Sequence, residues 1–180
     1  MRSILKFTFL SLVCLTFILQ GDVMAKALKI GDKAPDFKLL NQDKEEISLK
    51  KYDKQWVVLY FYPKDSTPGC TIEGIEFSGE LKNYEKLGAT VVGVSADTVE
   101  SHCKFIAKQK LKVELLSDPD KGMIKAYNVW KLKNFMGREF MGIVRSTFLI
   151  DPKGKIAFVW PEASAKGHAK EVLEKLKELQ

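Results

Sequence analysis

Trp56-Val57-Val58-Leu59-Tyr60-Phe61-Tyr62-Pro63-Lys64-Asp65-Ser66-Thr67-Pro68-Gly69-Cys70-Thr71 is the stretch on which the fold turns. Its first seven residues form a continuous apolar run rich in β-branched and aromatic side chains. A half-exposed strand would alternate instead, so this one is buried on both faces and central in its sheet. Pro63 ends it, Pro68-Gly69 makes a tight turn, and helically spaced apolar residues begin directly after Cys70. Cys70 is thereby set at a helix N-terminus, where free amide groups and the positive end of the helix dipole favour the thiolate, the nucleophilic form.

Moving outward, Thr90-Val91-Val92-Gly93-Val94-Ser95 and Thr147-Phe148-Leu149-Ile150 repeat the buried-strand character, and Glu114-Leu115-Leu116 carries a weaker version. Residues 155–160 follow the turn Asp151-Pro152-Lys153-Gly154 as a hairpin partner. Ahead of the central strand, Ala34-Pro35-Asp36-Phe37-Lys38-Leu39-Leu40 and Glu46-Ile47-Ser48-Leu49 flank a polar turn, which reads as an N-terminal β-hairpin. Helical stripes lie between: Ile72, Ile75, Leu81 and Tyr84 before Gly88, then Val99, Cys103, Ile106 and Ala107 before Leu111. A final helix aligns Ala165, Ala169, Val172, Leu173, Leu176 and Leu179, with Lys and Glu opposite. This alternation predicts an α/β domain with a mixed central sheet flanked by helices.

The chain has 180 residues, 46% of them hydrophobic, enough for one domain with a full core. Residues 1–25 stand apart as a signal peptide: Arg2 and Lys6 precede an apolar run at 7–19, and small residues follow around Ala25 and Ala27. That run is short against the roughly 20 residues of a spanning helix. Cleavage after Ala25 is expected, giving a mature domain over 26–180, exported to the periplasm, with no stable membrane insertion; an uncleaved anchor is the alternative. Cys14 would leave with the leader, so Cys70 and Cys103 are the thiols of the mature chain. The net charge of +6 comes from Lys and Arg interleaved with acids, as in Asp43-Lys44-Glu45-Glu46, which is a solvated surface and not a nucleic-acid footprint.

Pro63, Thr67 and Cys70 match the Pro-x-x-x-Thr/Ser-x-x-Cys signature, and the chain resembles the peroxiredoxins. Thr67-Pro68-Gly69-Cys70-Thr71, Val92-Gly93-Val94-Ser95, Leu115-Leu116-Ser117-Asp118-Pro119 and Arg145-Ser146-Thr147-Phe148-Leu149-Ile150-Asp151 are similar to the bacterioferritin comigratory protein, or peroxiredoxin Q, subfamily, and the likeness covers nearly all of residues 28–180. It implies a thioredoxin-like fold and a thiol-dependent peroxidase acting on hydrogen peroxide and organic hydroperoxides through a Cys70 sulfenic acid, with no cofactor or metal. It also implies a peroxide pocket of Pro63, Thr67, Cys70 and Arg145. There Arg145 stabilises thiolate and leaving oxygen, Thr67 holds the peroxide in line, Pro63 shields the pocket, and Glu73 supports Arg145.

The sulfenic acid must be resolved by a second thiol. Many members of the subfamily place it five residues after the first, where this chain has Ile75; Ser78-Gly79 departs from the family's usual Arg-Asp as well. Other members place it on the next helix, where Cys103 falls. Cys103 reads equally as a small core hydrophobe, in which case an external thiol resolves Cys70. The reductant is a thioredoxin-like or other thiol donor, and the protein is expected to be a monomer. His102 and His168 read as surface residues, since no metal-ligand spacing is present. Two rivals differ in chemistry: a thiol-disulfide oxidoreductase, which would carry Cys where Glu73 stands, and a non-enzymatic holdase, indifferent to loss of Cys70.

Overall fold

The computed structural model describes residues 27–180, and the leader expected over 1–25 lies outside the described residues. The chain runs β1 (Lys38–Asn41), β2 (Glu46–Ser48), a 3-10 turn (Leu49–Tyr52), β3 (Trp56–Phe61), α1 (Pro68–Lys86), β4 (Ala89–Ser95), α2 (Val99–Gln109) and β5 (Glu114–Ser117). There follow α3 (Gly122–Ala126), β6 (Trp130–Phe135), β7 (Arg138–Ile143), β8 (Ser146–Ile150), β9 (Ile156–Trp160) and α4 (His168–Leu179). Seven strands make one sheet in the order β2-β1-β5-β4-β3-β8-β9. Its centre, β3 to β4 to β5, is parallel, because α1 and α2 supply the long returns that parallel neighbours need. The flanking pairs are antiparallel, so the sheet is mixed, as the alternation of elements predicts.

β3 shows why its sequence does not alternate. Val57, Leu59 and Phe61 enter one core with Phe37, Ile124, Tyr127 and Phe148; Val58, Tyr60 and Tyr62 enter the other with Phe77, Tyr84, Phe105 and Leu176. Cys70 belongs to the second core. Gly93, opposite Tyr60 in the β3–β4 register, is required by close approach: a methyl there would lie 2.6 Å from the Tyr60 ring and 2.7 Å from Leu115. The ring occupies the space beside Gly93 and stacks on Phe77 at 4.7 Å. At the sheet edge, Asn41, Lys51 and Tyr52 all donate to the Glu114 carboxylate, clamping the N-terminal hairpin onto β5.

The helices exist where expected, but two present different faces. α1 buries Cys70, Glu73, Gly74, Phe77 and Tyr84, leaving Ile72 and Ile75 42% and 48% exposed. The face is set by Phe77 and by Gly74, where a methyl would lie 3.1 Å from Leu111. α2 buries Val99, His102 and Phe105, so Cys103 and Ala107 face outward. α4 begins at His168; Ala165 precedes it and Leu179 is exposed, while Ala169, Val172, Leu173 and Leu176 are core. Both histidines are fully buried, against the surface placement expected of them, because each has hydrogen-bonding partners inside. The β6–β7 hairpin was not foreseen. It turns on Met136 and Gly137, both with positive φ, and exposes Leu132, Met136, Phe140 and Met141.

Candidate active site

Cys70 is the third residue of α1, 2% exposed. Pro68 opens the helix, and its missing N–H costs nothing at that position. Thr67, the N-cap residue, does not cap with its side chain; its hydroxyl donates to the Lys64 carbonyl at 3.0 Å. The first-turn amides of Gly69 and Cys70 are therefore left without a side-chain cap, at the positive end of a 19-residue helix.

Arg145 reaches this turn from across the sheet. The β3–β8 register sets Ser146 against Phe61, so the residue before Ser146 stands level with the end of β3, beside the start of α1. Its Nη2 donates to Cys70 Sγ at 3.3 Å, and its Nη1 donates to Glu73 Oε2. Gly69 leaves room for this, since a methyl there would lie 3.3 Å from Nη2. The guanidinium is mostly covered, at 14% side-chain exposure. Burial pulls its proton affinity down, but the charges and hydrogen bonds of Glu73 and Cys70 outweigh this and raise it further, so it is a permanent cation.

Glu73 is completely buried, one turn below the thiol, and its Oε1 has no partner. Burial pushes its carboxyl up to about 7, against the opposing pull of Arg145. From the ordinary value of 4.5 up to about 7 the folded protein therefore binds more protons than the unfolded chain, and stability falls as pH rises through that window. Glu73→Gln is expected to remove this slope. In thermal melts the variant should gain on the wild type as pH is raised from 4.5 to 7, and parallel curves would assign the slope elsewhere.

The site thus joins Cys70, Arg145 and Glu73 directly, with Thr67 at the helix entrance. Pro63 is exposed, and it lines a neighbouring hollow of about 370 Å³ with Lys64, Trp130, Phe140 and Ile143. Cys103 is exposed on α2, its Sγ donating to the Gln42 carbonyl at 3.0 Å, and both cysteines are free. The core-filling reading of Cys103 is thereby overturned: Phe105 and His102 hold the inward positions of that helix. Ser78 also has a structural use, accepting from the Lys112 amide at 2.9 Å.

Sequence reasoning missed the polar groups around the site. His168 Nε2 pairs with Thr147 Oγ1 at 2.8 Å, and the ring meets Phe77 and Trp160 edge-on. Burial first, with the Arg145 charge adding to it, holds its proton affinity below the usual range despite Glu171. His168 therefore packs beside Phe77 as a neutral ring. Asp65 and His102 form a second buried pair under residues 62–67. The available signal was Thr147 beside Arg145 and Asp65 inside the turn before Cys70. Among the described residues, no group of three or more His, Cys, Asp or Glu side chains is placed to hold a metal ion.

The AhpC/TSA family model matches residues 30–159. Peroxiredoxin Bcp of Bacillus subtilis is 43% identical over 152 residues, covering 84% of this chain and 97% of that protein. A cysteine mutant of Xylella fastidiosa PrxQ superposes with a TM-score of 0.81 at 43% identity, covering 85% of this chain and 98% of its own. The Xanthomonas campestris bacterioferritin comigratory protein, in structures concerned with its alkyl peroxide reduction activity, gives 0.78 at 40% identity, covering 85% and 98%.

Proposed function

Because the chain belongs to the AhpC/TSA family, whose peroxiredoxin Q and Bcp members match it over nearly their whole length and are thiol-dependent peroxidases as it is, we propose that Cys70 is the thiol that reduces the hydroperoxide. The observation that carries this is the Arg145 guanidinium divided between Cys70 Sγ and the Glu73 carboxylate at the start of α1. The same cation that stabilises negative charge on sulfur stands ready for the charge that develops on oxygen.

The chemistry follows. Cys70 attacks the terminal oxygen of the hydroperoxide as the thiolate; the S–O bond forms as the O–O bond breaks, and the leaving alkoxide or hydroxide takes a proton from solvent. The products are a Cys70 sulfenic acid and an alcohol or water. Arg145 Nη2 follows the charge from sulfur to the departing oxygen. Since the Thr67 hydroxyl proton is already given to the Lys64 carbonyl, its lone pairs are free to accept the peroxide O–H. Thr67 thus serves as an acceptor, aligning the O–O bond with sulfur. Hydrogen peroxide and organic hydroperoxides both present these atoms.

Cys103 closes the cycle in this reading. Its thiol attacks the sulfenic sulfur, the S–S bond forms, water leaves, and a thioredoxin-like or other thiol donor then reduces the disulfide. Its exposure supports this role, since a thiol on an outward helix face is open both to exchange and to a reductant. Cys70 is buried against Arg145 and Cys103 is held at Gln42, so both sulfurs must leave these partners before they can bond to each other. Reduced protein treated with one equivalent of peroxide should lose the mass of two hydrogens. Cys103→Ser should instead gain one oxygen, on Cys70. A wild type that gains oxygen without forming the disulfide would remove Cys103 from the cycle.

We further propose export to the periplasm with cleavage after Ala25, on the strength of the charged, apolar and small-residue segments at 1–25. N-terminal sequencing of the periplasmic fraction should read from Lys26, and an intact Met1 on cytoplasmic protein would refute it.

A further inference from the structure

Residues 62–67, the turn between β3 and α1, rest on a buried polar cluster that the peroxide chemistry leaves unused. The Asp65 carboxylate accepts three hydrogen bonds there: Tyr62 OH at 2.7 Å, Ser101 Oγ at 2.7 Å and His102 Nδ1 at 2.9 Å. Asp65 is pinned a second time through its backbone amide, which donates to Asp97 Oδ2 at 2.9 Å; Asp97 in turn accepts from Ser95 Oγ at 2.7 Å. The next residue, Ser66, has φ of 60°, a left-handed conformation that is disfavoured for a residue with a Cβ. After it comes Thr67.

His102 is an expensive way to fill this space. It is fully buried, and with Nδ1–H given to Asp65 its Nε2 has no partner at all. A leucine would pack there without leaving a polar atom unpaired. What leucine lacks is the donor for Asp65. Burial would push the Asp65 carboxyl up, yet the bonds from His102, then Tyr62 and Ser101, outweigh it and hold the group below its usual range. The cluster is thus an ionised carboxylate fastened to the first turn of α2.

We propose that His102 is a positioning residue for the peroxide step, holding Asp65 so that the strained Ser66 places Thr67 and the peroxide in line with Cys70. This rests on the assignment of Cys70 as the peroxide-reducing thiol. His102 touches neither thiol nor substrate in this arrangement; it acts through Asp65. The effect should fall on reactions that need Thr67 to align an O–O bond, and not on reactions that need only a nucleophilic sulfur.

The test compares two single-turnover rates at Cys70 in a Cys103→Ser background: oxidation by hydrogen peroxide, and alkylation by iodoacetamide, which needs no alignment by Thr67. In His102→Leu the peroxide rate constant should fall at least about tenfold, with alkylation within about threefold of the parent. His102→Asn, whose side-chain amide nitrogen stands near the place of Nδ1, should restore the peroxide rate to within about threefold. A folded leucine variant with the parent's peroxide rate overturns the proposal, and so do equal losses in both reactions, which report general damage. If the leucine variant does not fold, His102→Met, which likewise fills the space without a donor for Asp65, takes its place: the peroxide rate alone should again fall about tenfold, and an unchanged peroxide rate overturns the proposal. Failure of the Cys70 assignment itself looks different, because the Cys103→Ser parent would then not react with peroxide at that sulfur.

Discussion

Cys70→Ser should lower peroxide consumption at least about a thousandfold while leaving the protein folded. The two halves of that result have separate causes. Serine is close in size to cysteine, and residue 70 belongs to a core dominated by larger groups such as Tyr60, Phe77 and Trp160. Thermal unfolding should therefore shift by only a few degrees, of order 1 kcal/mol. The hydroxyl, in contrast, keeps its proton at neutral pH even with a guanidinium 3.3 Å away, and oxygen is a far poorer nucleophile toward an O–O bond than a sulfur anion. Peroxide loss measured with a small thiol as reductant reads the effect directly. Wild-type turnover by the serine variant would remove Cys70 from the reaction.

The path from sequence to site was open where burial and charge agree, and closed where they part. β3 was legible because seven apolar residues in succession leave no solvent face, and the Pro68-Gly69 turn marks the start of α1 whatever follows. The faces of α1 and α2 were not. Reading periodicity assumes that apolar side chains point inward, and here Glu73 and His102 take inward positions because Arg145 and Asp65 pair with them. Ile72 and Ile75 then fall outside. Arg145 shows the same limit: by composition it belongs at the surface, and only the Arg-Ser-Thr-Phe motif marks it as part of the pocket. The β6–β7 hairpin carried only a short signal, the alternation of Trp130-Lys131-Leu132-Lys133. Its apolar and charged residues mix on both faces, and Met136-Gly137 is not a turn pair that propensity singles out.

These inward charges are also why Arg145 is harder to replace than a generic cation. One guanidinium serves two anions through two nitrogens, Nη1 on Glu73 and Nη2 on Cys70, and the planar fork fixes the angle between them. Lysine has the charge but a single nitrogen on a flexible stem, and it cannot hold both. Arg145→Ala should lower the rate of Cys70 oxidation about 10²- to 10³-fold, the usual scale for losing one donor at a developing oxyanion, and Arg145→Lys should recover less than about tenfold of that. Removing the arginine also strands Glu73, fully buried with no other cation bonded to it, so the carboxyl takes up a proton and its influence on the thiol ends. Glu73→Gln should therefore cost activity in the wild-type background, where the carboxylate orients the guanidinium, and cost almost nothing further in Arg145→Ala. A double-mutant cycle on the single-turnover rate measures this coupling. If the two losses simply multiply, Glu73 acts on Cys70 independently and the shared guanidinium is not the link between them.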